Sequence, residues 1–301
     1  IEQTLERASA DDALSLLDDV VAACGEPLGD FSIFPTLLVS RLARKHFTVM
    51  LSGDGGDELF WGYARHFGAL MDGVGDFRHS RRWRRMMRVV RRLSGSGKGG
   101  SSYRYDSVGE WHRARYSRLP IESLVRIFPE MPNWPVEYGA YTYTGCDQDE
   151  MAQWLRKSEF DSHMSGILLK VDRASMYSSL EVRVPLLDRE VIDVALQLDW
   201  RDCFDARRRL GKIPLRQSLA RHVSSQSSAK RGFEPPMGEW LRGSLRPVVE
   251  EVLLPRESLA GVPVDGRALR ALYQQHLGGR DLGWGLWPLL SLALWQQRNG
   301  R

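Results

Sequence analysis

Leu51-Ser52-Gly53-Asp54-Gly55-Gly56-Asp57-Glu58-Leu59-Phe60 joins a short apolar run to a glycine turn and then to an acidic helix start. The lead-in Phe47-Thr48-Val49-Met50-Leu51 is β-branched and apolar, which predicts a buried strand, and a new apolar periodicity from Asp57 predicts a helix. A strand-to-helix turn of this kind suits anions. Without a Cβ at Gly53, Gly55 and Gly56 the backbone is free to take positive φ and approach a ligand, with N–H groups of the helix start aimed at negative charge. Asp54, Asp57 and Glu58 would repel a bare polyphosphate, so a phosphate site here requires Mg²⁺ between them or a carboxylate that faces another substrate group. The turn alone equally fits a plain helix start, with Asp57 and Glu58 favouring its dipole.

A second segment adds charge to an apolar, helix-compatible background. Leu168-Leu169-Lys170-Val171-Asp172-Arg173-Ala174-Ser175-Met176 runs on to Leu180-Glu181-Val182-Arg183-Val184-Pro185-Leu186-Leu187-Asp188. Charged residues are seldom buried unless paired or holding a ligand, so Asp172, Arg173, Glu181 and Arg183 read either as ion pairs or as the lining of a site. A third block, Gly211-Lys212-Ile213-Pro214-Leu215-Arg216 and then Ala229-Lys230-Arg231-Gly232-Phe233-Glu234-Pro235-Pro236-Met237, precedes an amphipathic stretch, and within it Lys212 has a weaker claim on phosphates than Lys230.

In this order and spacing the three blocks resemble the synthetase domain of glutamine-hydrolysing asparagine synthetases, from about Thr4 to the C-terminal apolar helix. The resemblance implies an α/β fold: a parallel sheet of the PP-loop ATP pyrophosphatase type, truncated here, followed by a predominantly α-helical part. It divides the chain into a nucleotide-binding remnant (1–70), a variable basic segment (71–110) and a mainly helical remainder (111–301). It implies ATP and Mg²⁺ as cofactors, with aspartate, ATP and glutamine-derived ammonia as partners in a cytoplasmic enzyme. Ser52, Gly53, Gly55, Gly56 and Lys230 would bind ATP or pyrophosphate, and Asp54 and Lys230 would be catalytic. Asp57 would hold Mg²⁺ or the substrate amine, and Glu58, Asp172, Arg173, Glu181 and Arg183 would orient substrate or brace the site. Family members often carry glutamate where Asp54 stands. β-Lactam-forming synthetases and lasso-peptide cyclases resemble the same scaffold and are the alternative within ligases.

Two family features are not in this sequence: a glutaminase domain with its N-terminal cysteine, and the loop Ser-Gly-Gly-x-Asp-Ser. The chain opens on Ile1-Glu2-Gln3-Thr4-Leu5, which alternates like a strand already under way, and so reads as a C-terminal fragment whose isolated activity is not expected.

Composition agrees. With 301 residues and 43% hydrophobic content the chain can bury a sizeable core. No apolar run reaches the length of a membrane span. Cys24, Cys146 and Cys203 are far apart and lack metal spacing, which predicts buried thiols in a reducing compartment. The seven histidines form no ligand motif and read as separate core or surface residues. Ser9 to Cys24, Phe34 to Arg44 and Asp281 to Gln297 predict helices, and Ser94 to Ser102 predicts a flexible Gly/Ser loop. Arg78 to Arg92 holds eight arginines and no acid, so the rest of the chain is net −4 against +4 overall. Trp83, Met86, Met87, Val89 and Val90 give that run an apolar side, which favours a solvated face or a subunit contact, as in a homodimer, over nucleic acid. A non-catalytic basic binding module is the reading outside enzymes.

Overall fold

The computed structural model describes residues 4, 9–93, 102–117, 119–131, 139, 141–223 and 233–300. Lys230 lies outside them, as do most of the expected N-terminal strand and nearly all of the Gly/Ser loop. Helix α1 (Ala10–Cys24) starts at a reciprocal cap, in which Ser9 N–H donates to Asp12 at 2.6 Å and the Ser9 hydroxyl accepts Asp12 N–H at 3.3 Å. It ends at Gly25, whose φ of 66° suits glycine. Helix α2 (Ile33–Arg44) leads into strand β1 (Val49–Leu51), which pairs in parallel with β2 (Glu181–Arg183), Val49 opposite Glu181 and Leu51 opposite Arg183.

Between the two strands the described residues form mainly helices: α3 (Gly56–Leu59), α4 (Ala64–Gly73), α5 (Arg81–Leu93), α6 (Val108–Tyr116), α7 (Ile121–Ile127), α8 (Gln148–Ser158) and α9 (Met164–Tyr177). A π-helical turn, Glu159–His163, joins α8 to α9 without a break in the helix. After β2 come α10 (Arg189–Gln197), α11 (Trp200–Cys203), α12 (Ile213–Ala220), α13 (Met237–Arg242) and α14 (Arg246–Val248). A short antiparallel pair, β3 (Ser258–Leu259) and β4 (Val262–Pro263), precedes α15 (Gly266–Leu277) and α16 (Gly283–Arg298).

The chain is thus a helix-rich α/β protein with a small parallel sheet, and the helices expected at 9–24, 34–44 and 281–297 are present within a residue or two. The sheet corrects one expectation. Val49 and Leu51 are exposed, Leu51 at 67%, where the sequence predicted a buried strand. Apolar composition sets strand propensity, but burial needs covering layers, and among the described residues only β2 pairs with β1.

Two apolar cores carry most of the packing. One holds Phe34 of α2 edge-on to Trp240 of α13 and Trp287 of α16, with ring centroids 5.6 and 5.2 Å apart. The other surrounds Trp61, which stacks on Trp200 and Phe204 at 5.8 Å each, and includes Met151 and Leu155 of α8. This second core fixes the glycine turn's exit against α8 and α11. Cys24 and Cys203 are buried and Cys146 half-buried, all as free thiols.

Candidate functional site

The glycine turn follows directly from the sheet. Ser52 N–H donates to Arg183 O at 2.9 Å, which extends the β1–β2 pairing by one residue before the chain turns. Gly55, at φ 84°, begins α3; a Cβ there would sit 2.4 Å from Leu187 Cδ2, so both conformation and space require glycine. Gly53 is exposed and open, with nothing within 4 Å of where its Cβ would be. The Ser52 hydroxyl donates to the Asp54 carboxylate and accepts Asp54 N–H at 3.2 Å, which folds Asp54 back over the turn.

Asp57 meets a cation. Its Oδ2 lies 3.0 Å from Lys212 Nζ, both side chains about a quarter exposed. Lys212 caps α12 with φ 59°, and its N–H donates to Phe60 O at 2.8 Å. Two glycines allow this approach. A Cβ on Gly62 would lie 1.8 Å from Asp57 Oδ1, and one on Gly211 would lie 1.7 Å from Trp61 O. Lys212 Nζ also lies 3.5 Å from the position a Cβ of Gly56 would take, so the ammonium stands against the turn itself.

Behind the turn is a buried polar chain. Glu58 is 2% exposed and accepts the Tyr63 hydroxyl at 2.5 Å; burial pushes its carboxyl up, against the pull of that hydrogen bond. The Tyr63 ring lies 5.4 Å from that of His163 in the π-turn. His163 Nδ1 reaches Glu159 Oε2 at 3.0 Å, the Tyr116 hydroxyl donates to both Glu159 oxygens at 2.6 and 2.7 Å, and His112 Nε2 stands 3.1 Å from Oε1. His112 Nδ1 in turn meets His66 Nε2 at 2.8 Å. Burial works to raise the Glu159 carboxyl, but the groups from His112, His163 and Tyr116 outweigh it and hold it at about 2. Burial works to lower His163, and Glu159, Glu58 and Asp30 outweigh it, so His163 is raised.

Ligand atoms of His66, His112 and Glu159 lie within 4.8 Å of one another, a spacing that a metal ion could use. The two nitrogens of His112 face opposite partners, however, so the trio is a line and not a tripod. An ionised Glu159 only accepts; His112 faces it with Nε2 and faces His66 with Nδ1. The sequence reading of seven separate histidines is therefore amended: His112 and His163 meet at Glu159, and His66 joins them through His112.

Lys170, quoted in the second motif without a role, is buried and donates to Asp30 Oδ2 at 3.0 Å and Ser32 Oγ at 2.7 Å. Asp172 and Arg173, one turn on, are exposed. Glu181 and Arg183 are exposed and pair with each other at 2.7 Å. The structure brings Ser52, Gly53, Asp54, Gly55, Gly56, Asp57 and Glu58 into one turn, sets Lys212 of the third block against it, and adds Tyr63, Glu159 and His163, which the sequence reading missed. The detectable signal for the last pair was an acid and a histidine four apart, both on one side of a helix.

The Asparagine synthase family model matches residues 1–297. Over 297 residues the chain is 31% identical to a Mycobacterium bovis protein named as an asparagine synthetase (glutamine-hydrolyzing), a match that covers 95% of this chain and 45% of that one. It is 26% identical over 318 residues to asparagine synthetase (glutamine-hydrolyzing) 1 of Bacillus subtilis, covering 99% of this chain and 48% of the relative. The chain spans about half the length of the curated relatives it matches. No solved structure matches it significantly.

Proposed function

The chain belongs to the asparagine synthase family, and from that premise we propose that it is the synthetase part of a glutamine-dependent asparagine synthetase, with Ser52 to Glu58 as its nucleotide and carboxylate site. The observation that carries the reading is the glycine turn with the Lys212 ammonium set against it.

A carboxylate does not react with ammonia at neutral pH because oxide would have to leave. In the proposed reaction an oxygen of the aspartate side chain attacks the α-phosphorus of ATP, the bond to the bridging oxygen breaks and pyrophosphate departs. Ammonia then attacks the acyl carbon of aspartyl-AMP and loses a proton, and AMP leaves with the carboxylate oxygen. Charge gathers on the equatorial oxygens and on pyrophosphate, so positioned donors and cations are the main requirement. Backbone N–H groups of Gly53 and Gly55 would serve as donors, joined by the Ser52 hydroxyl, Asp54 N–H and Gly56 N–H on their release from Asp54, Ser52 and Gly53, with Lys230 as the cation for the leaving group. Asp54 holds the acidic position that the resemblance associates with the acyl-adenylate. Asp57 already has Lys212 as its counter-ion, so Mg²⁺ would arrive with the phosphates of ATP, whose charge it would offset.

The test is product analysis of the full-length protein with aspartate, ATP and glutamine. Asparagine with AMP and pyrophosphate supports the proposal; ADP and orthophosphate would sink it. Residues 1–301 alone should show no aspartate-dependent exchange of pyrophosphate into ATP, and sustained exchange would place the whole phosphate site within this chain.

A further inference from the structure

We propose that α5 is an interfacial helix that lays the protein on an anionic phospholipid surface. Its sequence, Arg-Arg-Trp-Arg-Arg-Met-Met-Arg-Val-Val-Arg-Arg-Leu, separates by helical period into a basic flank with Arg81, Arg85 and Arg88 and an apolar flank with Met86, Val89 and Val90. Among the described residues, the body of the protein grips the helix along one edge. Arg84 is buried, donates to Tyr105 O at 2.8 Å and Asp106 O at 3.2 Å, and lies 4.9 Å over the Phe77 ring. Trp83 packs on His79 and Tyr103, with centroids 4.0 and 5.8 Å apart.

That grip turns the rest outward. Met86, Val89 and Val90 are 53, 57 and 48% exposed, beside exposed Arg82, Arg85 and Arg88. A helix that only faced water would not present three contiguous apolar side chains. A nucleic acid would use the arginines and leave those side chains in water. A second α5 is repelled, because no acid stands between Arg78 and Arg92. A membrane interface accommodates both flanks, with Met and Val entering the headgroup boundary while guanidinium groups bind lipid phosphates.

A cleft beside the helix suits such a headgroup. It has a volume of about 150 Å³ and is walled by Arg81, Arg84, Arg85, Arg88 and Arg104. Its two acids are engaged: Asp106 pairs with Arg81 at 3.3 Å, and Glu110 accepts Asp106 N–H at 2.7 Å. No helix among the described residues is long and apolar enough to cross a membrane, so the contact is peripheral.

The experiment is co-sedimentation of the protein with phosphatidylcholine vesicles with and without phosphatidylglycerol, at low and high salt. Binding about tenfold stronger to the anionic vesicles is expected at low salt, weakening at high salt. Arg85→Glu/Arg88→Glu should abolish it, and Met86→Ser/Val89→Ser/Val90→Ser should reduce it about tenfold, both with unchanged circular dichroism and melting. Absence of vesicle binding overturns the proposal. So does full vesicle binding by the triple serine variant, which would leave a purely electrostatic surface. Release from vesicles by free pyrophosphate at constant ionic strength would assign the cleft to a soluble anion and also overturn it. Equal wild-type and triple-serine binding to RNA, with none to vesicles, would assign the face to nucleic acid.

Discussion

The turn at residues 52–58 and helix α5 both concentrate charge, and they treat it in opposite ways. Around the turn, acids meet donors and cations: Glu58 with Tyr63, Glu159 with two histidines and Tyr116, Asp57 with Lys212. On α5 one sign of charge accumulates at the surface beside exposed apolar residues. Burial makes the difference, since an unmatched charge is costly inside and cheap in water. Matched buried charges fix geometry for chemistry, and unmatched exposed ones leave a face available for binding.

The comparison breaks most visibly at the cations. Lys230→Ala in the full-length enzyme should cost kcat roughly 100-fold or more, as expected for loss of a preorganised charge at a leaving group, with Lys230→Arg rescuing in part. Lys212→Ala should cost about tenfold, because it frees Asp57 and weakens the turn while keeping Lys230, the cation proposed for the leaving group. Steady-state kinetics of both variants decides; the reverse order would move the essential cation to Lys212.

Glu159→Gln tests the buried side. The change should cost about 3 kcal/mol in denaturant unfolding, since it uncouples a buried carboxylate from its partners. Its pH signature follows from the shift. A carboxyl held at about 2 in the fold, against an ordinary 4.5, contributes stability that is present above 4.5 and lost as pH falls toward 2. His163, raised in the fold, contributes stability that is full below its ordinary 6.5 and lost as pH rises through the raised value. Unfolding midpoints of the wild type should therefore fall on both sides, and Glu159→Gln should flatten the acid limb.

Gly55→Ala is a smaller lesion on the same side, about 1–2 kcal/mol in thermal or denaturant melts, from its positive φ and the contact with Leu187. On the other side, Arg85→Glu/Arg88→Glu should leave unfolding within about 0.5 kcal/mol of wild type. A larger loss would mean that α5 is held by those arginines and is not the free face described above.

The sequence exposed some of this readily. β1, the glycine turn and α3 are contiguous, so alternation, glycine placement and the acidic helix start specify them locally. α1 was equally readable from Ser9 and its apolar stripe. The pairing of Lys212 with Asp57 was not, because it spans many elements and rests on the missing side chains of Gly62 and Gly211. The histidine cluster was hidden for the same reason: His66, His112 and His163 come from α4, α6 and the π-turn, and only tertiary packing joins them. The exposure of β1 was unreadable because apolar residues form strands whether or not a layer covers them.

Carboxylate activation at the glycine turn leaves a direct trace in the fate of the carboxylate oxygens. Aspartate labelled with ¹⁸O in its side-chain carboxylate is turned over by the full-length enzyme with ATP and glutamine, and the nucleotide and phosphate products are analysed by mass spectrometry. Adenylation predicts one labelled oxygen in AMP and none in pyrophosphate, because the acyl oxygen stays with the α-phosphorus when ammonia attacks. Label in orthophosphate alongside ADP would contradict the account, since it would mean attack on the γ-phosphorus through an acyl phosphate.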